Sequence, residues 1–161
     1  PEEKTRIIRD INLLTFDYQD LGDRIYKIDY PDTPEDYPTL VLNNTIPEVR
    51  SIMTLGKPWG RSLILSDIIQ EILTEILINE NETYDENGTD WKSIWLRSFS
   101  SENLLGENPP DNDTARFDVS GDTVKFDRKR WIERATDRFC SKNNLKVALV
   151  NYMQQGEIFY D

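Results

Sequence analysis

The strongest helical pattern in the chain lies in the segment Ser66-Asp67-Ile68-Ile69-Gln70-Glu71-Ile72-Leu73-Thr74-Glu75-Ile76-Leu77-Ile78-Asn79. From Ile68 to Leu77 the aliphatic side chains fall at i, i+1, i+4, i+5, i+8 and i+9, a spacing that gathers them on one helix face. Ser66 is suited to cap the N-terminus, and Asp67 adds negative charge at the positive helix end. The stripe is wider than a surface helix needs. We therefore expect the helix Asp67–Asn79 to lie in the core or to serve an interface.

Apolar residues at helical spacing also occur in the ranges Pro47–Leu55 and Asp90–Phe99, which predicts one short helix in each. A further helix is predicted to begin at Asp127, because aspartate is a good N-cap. Phe126 precedes that cap and Trp131 lies four residues beyond it, so the two rings are placed to form a hydrophobic staple. These patterns predict three to four helices.

Strand patterns occur in four places. Leu13–Tyr18 and Arg24–Tyr30 carry β-branched and aromatic residues on either side of the turn residues Asp20–Asp23, which predicts a hairpin of two strands. Thr39–Leu42 follows a proline-rich loop and is apolar enough for a short buried strand. Arg116–Phe126 alternates around a glycine-containing turn and is typical of a tight hairpin.

The C-terminal residues 145–160 fit either a helix or a hairpin, and their β-branched and aromatic content favours the hairpin. The predicted fold class is α+β, with short antiparallel strands and hairpins packed against three to four helices in a single domain over 1–161. Residues 100–114 are polar and contain adjacent prolines, which predicts a mobile surface loop. Because the sequence begins at Pro1 without a methionine, we expect a fragment of a larger protein.

The composition excludes most familiar catalytic and metal chemistry. The 161 residues carry 30 acidic and 19 basic side chains, a formal net charge of −11, and no histidine. A histidine general base or metal ligand is therefore impossible within this chain. Cys140 is the one cysteine, so neither an internal disulfide nor a cysteine metal cluster can form. No apolar run reaches the ~18 residues of a membrane span, and the acidic charge argues against anionic membranes and broad nucleic-acid binding.

Four Asn-x-Ser/Thr sequons occur, at Asn43, Asn81, Asn87 and Asn112. A sequon matters only in a secreted chain, whereas one unpaired cysteine fits a reducing compartment. We therefore interpret the sequons as chance occurrences and predict a cytoplasmic location.

Three segments resemble ligand-binding loops without meeting their rules. Thr83–Gly88 partly matches a calcium loop, but the first position is a threonine and the twelfth would be Ile94. In Gly56–Ser62 the lysine precedes the second glycine, unlike a phosphate loop. An acidic cluster without metal-ligand spacing contains Asp111, Asp113, Asp118 and Asp122. We predict no catalytic residue, no cofactor and no metal, and we interpret Cys140 as structural.

The segment Lys125–Lys142 holds seven basic against three acidic side chains, a net charge of +4 that leaves −15 for the rest of the chain. Arg130, Arg134 and Arg138 are spaced by four residues, so a helix places them in one ridge. With Lys129 they are the predicted partner-binding residues. The ridge could grip a phosphate or an acidic partner. It could instead pair with the acidic surface of its own chain, with Glu133 and Asp137 of the same helix as local partners, and this second interpretation is favoured.

The leading functional hypothesis is a non-catalytic protein-interaction or structural domain of a larger protein or assembly, bound to a protein partner or to a second copy. It rests on the missing methionine, the absence of catalytic signatures and the wide stripe Ile68–Leu77. The alternative is a nucleic-acid-associated module that uses the basic helix carrying Arg130, Arg134 and Arg138. Neither hypothesis includes a membrane.

Overall fold

The computed structural model describes residues 13–52, 58–111 and 121–160, and within these ranges it contains three strands and five helices. A π-helical turn, Glu75–Asn79, continues the second helix. The chain divides into two compact units, the first Pro1–Leu65 with Asn144–Asp161 and the second Ser66–Asn143. The elements are β1 Thr15–Gln19, β2 Tyr26–Asp29, β3 Thr39–Asn43, α1 Val49–Ile52, α2 Pro58–Thr74, α3 Trp91–Ser100, α4 Gly121–Lys142 and α5 Leu145–Tyr160. The predicted α+β class is confirmed.

The first unit contains a mixed three-stranded sheet in the order β1-β3-β2. β3 is the central strand, and its side chains Leu40, Val41 and Leu42 are at most 1% exposed. β1 pairs with it in parallel and β2 pairs with it antiparallel. The three strands predicted in this part of the chain exist, each to within two residues at either end. The expectation of purely antiparallel pairing is wrong, because β1 and β3 run in the same direction.

The predicted hairpin between the first two strands is also wrong, since β3 lies between them. The most apolar strand takes the centre of a sheet, because a central strand is covered on both sides. β1 and β2 become the two edges, and the loop that joins them passes the end of β3. Asn43 holds that loop, because its Nδ2 donates to the carbonyl oxygens of Gly22 at 2.8 Å and of Arg24 at 2.7 Å.

Within the described ranges β1 is an edge strand, and a carboxylate occupies one N–H group on its outer side. Asp17 accepts a hydrogen bond from Gln19 Nε2 at 2.8 Å and another from the backbone N–H of Tyr18 at 2.8 Å. These two bonds, the one from Gln19 first, hold the pKa of Asp17 below its ordinary value. The Tyr18 N–H is thereby occupied within β1 itself.

The second unit has one apolar core built from the end of α2, the π turn, α3 and α4. Trp95 and Phe99 stack at 5.7 Å between ring centroids, and Phe99 contacts Phe139 at 6.1 Å. The side chains of the predicted apolar stripe are all buried. Each of them is at most 2% exposed: Ile68, Ile69, Ile72, Leu73, Ile76 and Leu77. One ground for the interaction hypothesis is thereby removed, since the stripe leaves no surface for a partner.

α2 begins at Pro58, about two and a half turns before the predicted start at Asp67. Proline is favoured at the first helical position because its missing N–H would have no helical acceptor there, and the helix begins at Pro58. Ser66 therefore lies within the helix and is not its cap. Leu65, which is 1% exposed, extends the buried stripe towards this earlier start.

α4 likewise begins early, at Gly121, so Asp127 is an internal residue and not a cap. The hydrophobic staple does not form, because Phe126 is 59% exposed while Trp131 is buried. The second predicted strand of the hairpin Arg116–Phe126 is helical, and its first strand lies outside the described residues. A four-residue alternation is too short to distinguish a strand from one helical turn.

Residues 145–160 form α5, so the favoured hairpin is wrong. Asn144 adopts a φ of 54°, and this left-handed residue ends α4. Leu145 then faces inward at 3% exposure, whereas Val147 and Val150 are exposed. The β-branched residues that favoured a strand therefore belong to the outer side of a helix.

The two short predicted helices are present. α3 matches Asp90–Phe99 to within one residue, and Asp90 caps it by accepting hydrogen bonds from the N–H of Ser93 at 3.3 Å and from Ser93 Oγ at 2.6 Å. α1 lies within Pro47–Leu55, whose last residues are outside the described part. None of the helices in the described ranges is long and apolar enough to cross a bilayer. The single domain over 1–161 and the mobility of 100–114 stay predictions.

Candidate interaction surface

Arg128 is a buried arginine, only 1% exposed, in the second unit. Its side chain donates four hydrogen bonds. Its Nη1 reaches the Leu77 carbonyl oxygen at 2.8 Å and Asn81 Oδ1 at 3.0 Å, and its Nη2 reaches the Glu82 carbonyl oxygen at 2.8 Å. Its Nε donates to the Pro110 carbonyl oxygen at 3.0 Å. One side chain of α4 thus joins the end of the π turn to the loop before α4. We name this arrangement the Arg128 clamp.

Arg128 meets the π turn where the regular helical hydrogen-bond pattern ends. The N–H of Glu80 bonds to the Glu75 carbonyl oxygen and the N–H of Glu82 bonds to that of Ile76, and the Arg128 guanidinium donates to the next carbonyl oxygen in the chain, that of Leu77. Burial lowers the pKa of Arg128, and the charge of Asp111 opposes that shift. Since the ordinary pKa of arginine is above about 12, the side chain stays charged.

The charge pattern of the sequence shows Arg128 only as one of seven basic residues and does not indicate its buried role. Its position could have indicated it, because Arg128, Ile132, Ala135 and Phe139 follow one buried helix face at i, i+4, i+7 and i+11. A charged residue on a face that is otherwise apolar is either a position where the helix meets solvent or a buried polar contact.

Glu107 connects the loop 101–111 to α4 through both its backbone and its side chain. Trp131 Nε1 donates to its carbonyl oxygen at 3.0 Å. The two Nη atoms of Arg134 donate to its carboxylate oxygens at 2.8 and 3.0 Å, a bidentate pair in which both side chains are about half exposed. The favoured interpretation of the basic ridge is thus observed for Arg134, but the acidic partner comes from the loop and not from α4.

The C-terminal part of α4 binds the same loop through backbone carbonyl oxygens of the loop. Arg138 Nε donates to the Leu104 carbonyl oxygen at 3.1 Å, and Lys142 Nζ donates to the Asn103 carbonyl oxygen. Both pairs join residues more than 30 positions apart in the chain. The loop is therefore bound along α4 by successive cationic side chains.

The four predicted partner-binding residues are separated into two pairs. Arg134 and Arg138 bind their own loop. Lys129 and Arg130 are exposed and have neither an ion pair nor a hydrogen bond to another described side chain. Arg130 instead lies over the Phe126 ring, with 5.8 Å between the guanidinium carbon and the ring centroid.

A second outward surface lies on α5, in the first unit. Val147, Val150 and Met153 are 53%, 40% and 59% exposed, and their spacing of three residues places them within about 120° of one another around the helix. We name these three side chains the apolar α5 face. On another side of the same helix, Tyr152 stacks on Trp59 of α2 at 4.5 Å between ring centroids.

The calcium-like loop and Cys140 have ordinary structural roles. Thr83–Gly88 forms a turn in which Asp85 accepts hydrogen bonds from the N–H groups of Asn87 and Gly88. No group of three or more Cys, Asp or Glu side chains in the described ranges is placed to hold a metal ion. Burial, and then the charge of Asp137, raise the pKa of Cys140, so its thiol is neutral and a weak nucleophile.

Asn43, the first sequon, is a buried structural residue at 2% exposure. Besides its two donated bonds, its Oδ1 accepts from the N–H of Thr45 at 3.0 Å and from Thr45 Oγ1 at 2.7 Å. An amide whose oxygen and nitrogen are both engaged is not accessible to a glycosyltransferase in the folded chain.

No family model, no curated protein and no solved structure matches this chain. The candidate interaction surfaces described above are the apolar α5 face and the exposed side chains of α4.

Proposed function

We propose that this chain is a non-catalytic protein-interaction or structural domain of a larger protein or assembly, located in the cytoplasm. The observation that carries the proposal is the apolar α5 face, whose three side chains are each exposed by at least 40%. Covering their remaining apolar area would contribute on the order of 3 kcal/mol before the costs of ordering are subtracted. A protein surface, or a second copy of this chain, supplies such a cover.

Two further observations support a protein partner over a nucleic acid. Arg134 and Arg138, two of the three arginines that the nucleic-acid hypothesis needs, already bind the loop of their own unit. The net charge of −11 repels a phosphate backbone at long range.

The neutral thiol of Cys140, which has no cysteine to pair with in this chain, supports the cytoplasmic location.

Site-specific photo-crosslinking tests the proposal in the organism that makes this protein. Val150 is replaced by p-benzoylphenylalanine in the full-length protein, and the cells are irradiated. The matched control places the same residue at Glu35, which is exposed in a loop of the same unit. We expect a discrete adduct from position 150, to a defined protein or to a second copy, and none from position 35. Absence of an adduct at 150, or equal adducts at both positions, would overturn the proposal.

A further inference from the structure

The basic side chains of α4 fall into two sets that the sequence does not separate. One set is bound within the second unit, as described above, and consists of Arg128, Arg134, Arg138 and Lys142. The other set, Lys125, Lys129 and Arg130, is exposed and has no ion pair or hydrogen bond within the described ranges. The three cations of the second set are therefore available to a ligand.

These three cations lie next to an exposed aromatic ring on the same helix. Lys125 and Lys129 are separated by four residues, as are Phe126 and Arg130, so the four side chains form a two-by-two block one helical turn high. Phe126 is 59% exposed, and the Arg130 guanidinium covers only one part of it. We name the block the outward patch. It combines three positive charges with one exposed apolar ring.

We propose that the outward patch binds an acidic segment of a partner protein, one that carries an apolar side chain among its carboxylates. The carboxylates pair with Lys125, Lys129 and Arg130, and the apolar side chain packs on the Phe126 ring. This inference rests on the proposed interaction function and adds the chemical class of one partner.

The size and borders of the patch favour a short acidic segment over a nucleic-acid strand. The rise from Lys125 to Lys129 is about 6 Å, which suits a few residues of peptide. Asp122, Asp127 and Glu133 lie within one turn of the patch and carry three negative charges. A nucleic-acid strand bears a charge at every nucleotide, so one longer than the patch would run against these carboxylates and against the acidic remainder of the chain.

Fluorescence anisotropy with the full chain tests the inference. The probe is a fluorescein-labelled peptide in which one leucine is flanked by glutamates, and a labelled single-stranded oligo-dT is the second probe. Lys129→Glu is compared with Lys146→Glu, an equal change of charge at an exposed residue of α5. Phe126→Ala is compared with Leu63→Ala, where the side chain is 53% exposed on α2. All four positions are exposed, and urea midpoints verify that each variant folds.

We expect the peptide to bind with an affinity that falls with added salt. Lys129→Glu should weaken binding at least about tenfold and Phe126→Ala about threefold, and neither control should change it by more than about twofold. No peptide binding at low salt, equal effects of the charge variants, or tighter binding of oligo-dT would overturn the inference. Photo-crosslinking at position 150 reads out a different surface, so an adduct there without peptide binding would reject the outward patch alone.

Discussion

Arg128→Met should destabilise the second unit by about 2–4 kcal/mol. Methionine keeps an unbranched side chain in the same space but removes all four donated hydrogen bonds. The Leu77 carbonyl oxygen would lose its donor where the Leu77 residue is 1% exposed, and an unsatisfied buried acceptor costs about 1–3 kcal/mol. Pro110 and Glu82 are half-buried, so water replaces part of what they lose. Removing a buried cation offsets part of the remaining cost, although the charge of Asp111 stabilises that cation.

Urea unfolding followed by tryptophan fluorescence measures this change, because three of the four tryptophans lie in the second unit: Trp91, Trp95 and Trp131. Lys129→Met is the matched control, since it makes the same kind of change at the exposed neighbouring residue and should stay within about 0.5 kcal/mol of the parent chain. Arg128→Lys should be intermediate, because one ammonium group cannot reach four acceptors. If Arg128→Met and Lys129→Met change the free energy of unfolding equally, the clamp does not stabilise the fold and the reasoning is refuted.

Three further substitutions or conditions test other contacts. Asn43→Ala should cost about 2–3 kcal/mol in urea unfolding, because the amide holds the loop between β1 and β2; exposed Asn44→Ala is the control, and equal effects would contradict this role. Gly88→Ala should cost about 1–3 kcal/mol in thermal or urea unfolding, because the new Cβ would fall on Ser93 Oγ and displace the cap of α3; an unchanged midpoint would show that Ser93 moves freely. The raised pKa of Cys140 stabilises the fold below the ordinary thiol pKa of about 8.5, and this stabilisation is lost as pH rises through the folded value. A disulfide reagent at pH 8 should therefore label the folded chain more slowly than the urea-unfolded chain, and equal rates would exclude the shift.

The elements that the sequence predicts well are those fixed by local signals. α3 follows from the Asp90 cap and its apolar spacing, and β3 follows from the continuous run Leu40–Leu42. The strand order does not follow from local signals, because it depends on which strand is buried on both sides and on the Asn43 side chain. Asn43 bonds to residues 19 to 22 positions away in the chain.

The candidate surface was predictable only in outline. Helical spacing indicated the basic ridge, but it could not indicate that Arg134 pairs with Glu107, 27 positions away, or that Arg128 reaches Leu77, 51 positions away. A spacing of four residues relates positions within one helix, and it does not indicate which loop packs on that helix. Local composition was also misleading at α5. Its β-branched residues favoured a strand, although they lie on an exposed helix face.

The carboxylate on the edge of β1 has a consequence for self-association. An open strand edge is a template for pairing with another molecule, and repulsion between molecules vanishes at the isoelectric point, which lies at a pH of about 4.5. Because hydrogen bonds hold the pKa of Asp17 below its ordinary value, this side chain is still ionised at that pH and still occupies the Tyr18 N–H. The Tyr18 N–H is thus not free to pair with another molecule under the condition in which net charge no longer keeps the molecules apart.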